Sequence, residues 1–186
     1  MLRMWVQRMQ RIILASGSLR RKELLEKLGV EFEIVESGYD EDKIKTDDPV
    51  ELVEELALQK ALKVGKKYDD ALIIGGDTTV YVRGELVGKP IDKKDAERII
   101  RLLSGTTHMV VTGVAVVNSL TGDSVVGHEE GWVRFREITN EEIEKYVADI
   151  LNPSKKVENG IGGQFKPITD TLNEERIIKA ALEPAA

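Results

Sequence analysis

No cysteine occurs among the 186 residues, so the chain carries no disulfide framework, thiolate zinc site, iron–sulfur cluster or cysteine nucleophile. Histidine is nearly absent too, and with only His108 and His128 multi-histidine metal sites are excluded. Long apolar runs are missing. The longest, Met109 to Val117, is interrupted by Thr112 and Gly113 and falls short of the roughly 20 residues a membrane-spanning helix needs. The opening MLRMWVQRMQ lacks an apolar core ending in small residues, so no signal peptide is expected and a cytoplasmic address follows. Positive charge is in deficit: 27 Lys and Arg stand against 33 Asp and Glu, a formal charge of -6. That balance disfavours stable binding along a nucleic-acid backbone, though it leaves room for a local basic pocket.

What is present suits a folded protein. Hydrophobic residues make up 41% and charged residues 32%, enough to build a core, and the length suits one domain over residues 1–186. Met9 stands just before the strand-like Arg11-Ile12-Ile13-Leu14. Translation is therefore expected to begin there, with residues 1–8 an upstream extension; the alternative is a short amphipathic arm using Met4, Trp5 and Met9.

Strand-like and helix-like segments alternate, which argues for an α/β fold. Ile12 to Ala15 reads as a buried strand, and Ser16-Gly17-Ser18 turns it into a helix with Leu24, Leu25 and Leu28 on one face and Gly29 as its stop. Residues 32–36 suggest a second strand. Asp47-Asp48-Pro49 opens a long helix with a capping spacing from Asp48 to Glu51. Ala71 to Gly75 reads as a buried strand, followed by a hairpin of Val80 to Val82 and Glu85 to Val87 about Arg83-Gly84, with Asp77 in a loop between them. Asp92 caps a helix carrying Ala96, Ile99, Ile100 and Leu103. Strands follow at Met109 to Val117 and around Trp132 to Phe135, and Thr139 with Glu142 opens a helix through Tyr146. From Asp149 to Pro167 glycine and proline break the pattern, and a last helix is expected from Thr171 to Leu182.

Three features can carry chemistry. Ser16-Gly17-Ser18-Leu19-Arg20-Arg21 lies at a strand-to-helix turn, where N–H groups, hydroxyls and guanidinium groups can converge on phosphate oxygens; the ordinary alternative is a serine cap followed by solvated arginines. Gly75-Gly76-Asp77-Thr78-Thr79 places a carboxylate just past a strand, where it can hold a metal or activate water or simply stabilise a turn. Gly88-Lys89-Pro90 restrains a lysine between a permissive and a rigid residue, although a plain surface loop has the same composition. Lys60 falls near the apolar face of its helix, where lysines usually extend to water. Asp40 and Glu41 belong to an acidic stretch typical of a solvated loop. His108 reads as structural, and Trp132 and Phe135 as core or cleft wall.

Taken in order, Ala15-Ser16-Gly17-Ser18-Leu19-Arg20-Arg21-Lys22-Glu23-Leu24-Leu25, Tyr39-Asp40-Glu41, Gln59-Lys60-Ala61, Gly76-Asp77-Thr78, Gly88-Lys89-Pro90 and Leu103-Ser104-Gly105 closely resemble the Maf family of nucleoside triphosphate pyrophosphatases. The resemblance runs from about Arg11 to Tyr146, with Leu19 where the family commonly has proline. It implies an elongated mixed sheet with flanking helices, two lobes around a deep cleft, and a shape similar to inosine triphosphate pyrophosphatases. It also implies hydrolysis of a nucleoside triphosphate to monophosphate and pyrophosphate, assisted by a divalent cation, Mg or Mn. On the same basis Ser16, Arg20, Arg21 and Thr78 would bind substrate, and Lys60 and Lys89 would neutralise charge. Asp77 would act on water and help hold the metal, with Glu41 rather than Asp40 as the second carboxylate. Asp77-Thr78 with Leu19-Arg20-Arg21 looks like the branch acting on dTTP, UTP and related pyrimidine nucleotides. The alternatives are an inosine-type purine triphosphate pyrophosphatase and a noncatalytic nucleotide-binding division regulator. Residues 149–186 diverge from the family pattern, with Gly162 where a glutamine is usual and Gln164 nearby. A homodimer through strand edges or the Trp132 region is compatible with the sequence.

Overall fold

The computed structural model describes residues 10–150; expectations for the arm at residues 1–9, the segment from residue 152 to 164 and the final helix fall outside them. Within that span a mixed six-stranded sheet is flanked by helices. The elements run β1 (Arg11–Leu14), α1 (Leu19–Lys27), β2 (Glu33–Ile34), a 3₁₀ turn (Glu41–Lys43), α2 (Pro49–Gly65), β3 (Ala71–Val82), β4 (Glu85–Val87), α3 (Lys93–Leu103), β5 (Thr107–Asn118), β6 (Ser124–Arg134) and α4 (Asn140–Ile150). The strand order is β2-β1-β3-β5-β6, with β4 pairing β3. No helix among the described residues is long and apolar enough to cross a membrane.

The helices begin where short polar side chains satisfy free N–H groups. Ser18 accepts from Arg21 N, Asp48 from Val50 N and Glu51 N, and Asp92 from Asp95 N. Thr139 and Glu142 form the reciprocal capping pair, with Glu142 N donating to Thr139 Oγ1 and Thr139 N to Glu142 Oε2. Arg83 and Gly84 both adopt positive φ, 52° and 84°, the conformation of a two-residue hairpin turn that matches strand twist.

Two expectations about strands are corrected. Ala71 to Gly75 and Val80 to Val82 are parts of one twelve-residue strand, so Asp77 lies inside β3, paired with Gly113 of β5, and not in a loop. Of the two alternatives for Trp132 and Phe135, core or cleft wall, the core is excluded for Trp132, which is 54% exposed, whereas Phe135 is buried in the core. Being apolar did not suffice to bury Trp132, because it belongs to the strand at the edge of the sheet.

Side chains of a strand alternate between faces, and here each face has its own helix. Ala71 and Ile73 pack with Ala57, Ala61 and Val64 of α2. Ile74 packs with Leu25 of α1 and with Val114 and Val116. Over the first part of β3 the odd-numbered residues therefore face α2 and the even-numbered ones α1, whereas further along Val80 and Val82 pack with Ile99 and Leu103 of α3. The α2 backbone lies unusually close to the sheet. A Cβ at Gly75 would stand 2.1 Å from Ala57 O, and one at Gly113 would stand 2.3 Å from Val53 O. Both opposing atoms are helix backbone and cannot turn aside. Gly113→Ala is accordingly expected to cost at least about 1–3 kcal/mol of stability, the usual range for overpacking. It should also displace α2, read as a lowered melting temperature together with a lowered turnover.

Candidate active site

The edge of β3 opposite β5 is shared by two strands. β1 pairs with it in parallel from Ala71 to Ile74, and β4 in antiparallel from Val80 to Val82. Neither covers residues 75–79. Beside this opening lie the turn that follows β1, the Gly88-Lys89-Pro90 segment that follows β4, and Asp77 itself. Crevices beyond strand ends at such changes of direction are common ligand sites. Ala15 N donates to Ile74 O, so the even-numbered residues of β3 turn their backbone groups towards this edge, and Gly76 and Thr78 present theirs to the opening.

On the α2 face, Lys60 is the centre of a charged cluster. Its Nζ is 2.5 Å from Asp77 Oδ1 and 2.8 Å from Glu41 Oε1. Its side chain is only 10% exposed and that of Asp77 14%, so two carboxylates share one nearly buried ammonium. The close approach of α2 permitted by Gly75 and Gly113 brings Lys60 within reach. Lys89 Nζ stands 3.8 Å from Glu41 Oε1 with its side chain 90% exposed, at the outer limit of an ion pair and free to meet a ligand. Burial pushes the Glu41 carboxyl up, but the Lys60 hydrogen bond and charge, with the Lys89 and Arg21 charges, outweigh it and hold the group below the usual glutamate value.

On the α1 face, Arg21 crosses Gly76, where a Cβ would come 2.8 Å from its Nε. Its Nη2 donates to Thr78 Oγ1 at 2.8 Å and its Nη1 to Ser16 Oγ at 3.4 Å. Thr78 Oγ1 is also 3.0 Å from Thr112 Oγ1. The site thus straddles β3 at its open edge, with an acid–base cluster on one face and a guanidinium clamp on the other.

Residues 11–158 match the family described as Maf-like protein. A dTTP/UTP pyrophosphatase of Symbiobacterium thermophilum is 46% identical over 165 residues, covering 89% of this chain and 84% of that protein. The chain belongs to the Maf family. Proteins of the same description from Alkaliphilus metalliredigens and Bacillus anthracis are 45% and 44% identical, each covering 84% of this chain and 81% of its own length. Among solved structures, the Staphylococcus aureus Ham1 protein is similar with a TM-score of 0.46 at 13% identity, covering 67% of this chain and 71% of that one. The family match continues to residue 158, past Tyr146, where the motif resemblance stops.

Of the residues singled out in this Maf protein's sequence, direct contacts join Ser16, Arg21 and Thr78 on one face of β3 and Glu41, Lys60, Asp77 and Lys89 on the other. Arg20 is exposed on the first turn of α1 and takes no part in these contacts, and Asp40 supplies no side-chain bond to the turn it precedes. His108 is buried, 3.3 Å from Thr106 Oγ1 through Nδ1 and edge-on to Phe135, which is a packing role. Thr112 was not singled out as a site residue, although a hydroxyl inside the longest apolar run was a visible signal. Asp77 and Glu41 each meet Lys60 through one oxygen, and a carboxylate has about four lone-pair sites, so capacity remains for a hard cation. Magnesium is commonly held by one or two carboxylates completed by substrate phosphates and water. Among the described residues no group of three or more His, Asp or Glu forms a cage, and this donor set suits a cation that shares its ligands with the substrate.

Proposed function

We propose that this Maf protein hydrolyses dTTP and UTP to the nucleoside monophosphate and pyrophosphate. The observation that carries the reading is Lys60 bridging Asp77 and Glu41 beside the Arg21 clamp, in a chain 44–46% identical to proteins described as dTTP/UTP pyrophosphatases. Water attacks the α-phosphorus, the bond from that phosphorus to the α–β bridging oxygen breaks, and pyrophosphate leaves with that oxygen. Asp77 orients the water and takes its proton. Lys60 and Lys89 offset the negative charge that builds on the phosphoryl oxygens in the transition state. Arg21 holds non-reacting phosphate oxygens with its planar fork, Ser16 steadies that fork, and Arg20, exposed on the same turn of α1, adds positive charge. Mg²⁺ or Mn²⁺ would be held by Asp77 and Glu41, where it supplies Lewis-acid charge stabilisation.

A panel of purified nucleotides with product identification tests the reading. The expected result is release of pyrophosphate from dTTP and UTP with a higher kcat/KM than from ATP, GTP, ITP or a methylated guanine triphosphate. Preference for ITP would favour the inosine-type activity. Binding without turnover of any nucleotide would favour a noncatalytic regulator.

A further inference from the structure

We infer that Thr112 is a positioning residue for phosphate binding: its buried hydroxyl, bonded to Thr78, holds the Arg21 guanidinium in place. The inference rests on the pyrophosphatase reading of the site. Thr112 stands in the interior of β5 directly opposite Thr78 and is 0% exposed. Val111, Val114, Ala115, Val116 and Val117 around it in the strand are buried and apolar. Valine would fill the same space, so packing alone does not call for a hydroxyl, and a buried hydroxyl without a partner is costly.

The partner is Thr78 Oγ1, at 3.0 Å. That oxygen also accepts from Arg21 Nη2, and a hydroxyl has the capacity for both bonds. Thr78 is exposed, so packing does not select its rotamer among the staggered wells; its bond to the buried Thr112 does. Arg21 is consequently placed by the missing side chain at Gly76, by Ser16, and by the Thr78–Thr112 pair. Of the two hydroxyls, Ser16 and Thr78, only Thr78 is tied on into the core, through the fully buried Thr112. A long side chain held in its binding conformation beforehand loses less freedom when phosphate arrives. The ligand served is the polyphosphate of the substrate or the pyrophosphate cut from it.

The test uses Thr112→Val and Thr112→Ser in the full chain. It reads the dTTP kcat and KM, the Kd of inorganic pyrophosphate by calorimetry, and the melting temperature. Thr112→Val is expected to raise KM and the pyrophosphate Kd about three- to tenfold, the worth of one neutral hydrogen bond, with a smaller change in kcat. Thr112→Ser should restore most of that loss. In an Arg21→Lys background the valine substitution should add little, because the two act as one unit. If Thr112→Val does not fold, Thr112→Ala, which also lacks the hydroxyl and leaves the Arg21–Thr78 bond in place, carries the same expectation. A folded valine variant with wild-type KM and pyrophosphate Kd overturns the inference, as does an undiminished effect in the Arg21→Lys background or a wild type that binds no pyrophosphate. A wild type that releases no pyrophosphate from dTTP or UTP would instead refute the pyrophosphatase reading, and the pyrophosphate Kd would still decide the role of Thr112.

Discussion

Asp77→Asn is expected to lower turnover of dTTP by about 10²- to 10⁴-fold, the usual contribution of a positioned general base, while the melting temperature changes little. Asparagine has the same shape and still offers an oxygen to Lys60 Nζ, 2.5 Å away in the native protein. The substitution removes only the negative charge and the capacity to take a proton. Asp77 lies within a continuous strand, held by its pairing with Gly113, so the position of the group should survive. Pyrophosphate release near the wild-type rate from a folded Asp77→Asn protein would remove Asp77 from the chemistry.

Lys60→Met should lower kcat by about 10²- to 10³-fold, the range for removing one preorganised electrostatic contact in an active site. Methionine fits a nearly buried helix position, so α2 should remain docked on Ala71 and Ile73. The electrostatic change is larger than the loss of one cation. Asp77 and Glu41 both face Lys60 Nζ, and without it two carboxylates confront each other across an uncompensated gap. Glu41 then loses its hydrogen bond and charge from Lys60, leaving burial opposed only by Lys89 and Arg21, so its carboxyl moves up. The native group, held below the usual glutamate value, stays ionised until pH falls through its lowered pKa. In the variant, protonation sets in at higher pH, and the acid limb of the kcat/KM profile should move towards neutrality. An unchanged kcat with a raised KM would assign Lys60 to uniform substrate binding. An unshifted acid limb would show that Lys60 does not govern the ionisation of Glu41.

Much of this arrangement was readable from local chemistry. Ser18, Asp48, Asp92 and Thr139 mark their helix starts because a short polar side chain there has one specific use. Arg83-Gly84 marks its hairpin for a similar reason, since both residues must take positive φ. The run around Asp77 was misleading because Gly75-Gly76 resembles a turn, whereas each glycine answers a tertiary demand: α2 packs against the first and Arg21 lies across the second. No local pattern reveals that contact before the helix is docked. β6 was legible only near Trp132, because its His128, Glu129 and Glu130 are typical of an edge strand and become a strand through long-range pairing with β5. Ser16, Arg21, Glu41, Lys60, Asp77, Thr78 and Lys89 were identifiable as candidates from ordered motifs. Their convergence at one edge depends on β1 and β4 ending on either side of residues 75–79, which is a property of the sheet rather than of any segment.

Hydrolysis of dTTP in water enriched in ¹⁸O, followed by mass analysis of both products, addresses the central claim most directly. With Asp77 activating water against the α-phosphorus, the label should enter the nucleoside monophosphate and the pyrophosphate should remain unlabelled. Label recovered in pyrophosphate, or dTDP and labelled inorganic phosphate as the products, would place the attack on another phosphorus and contradict the account.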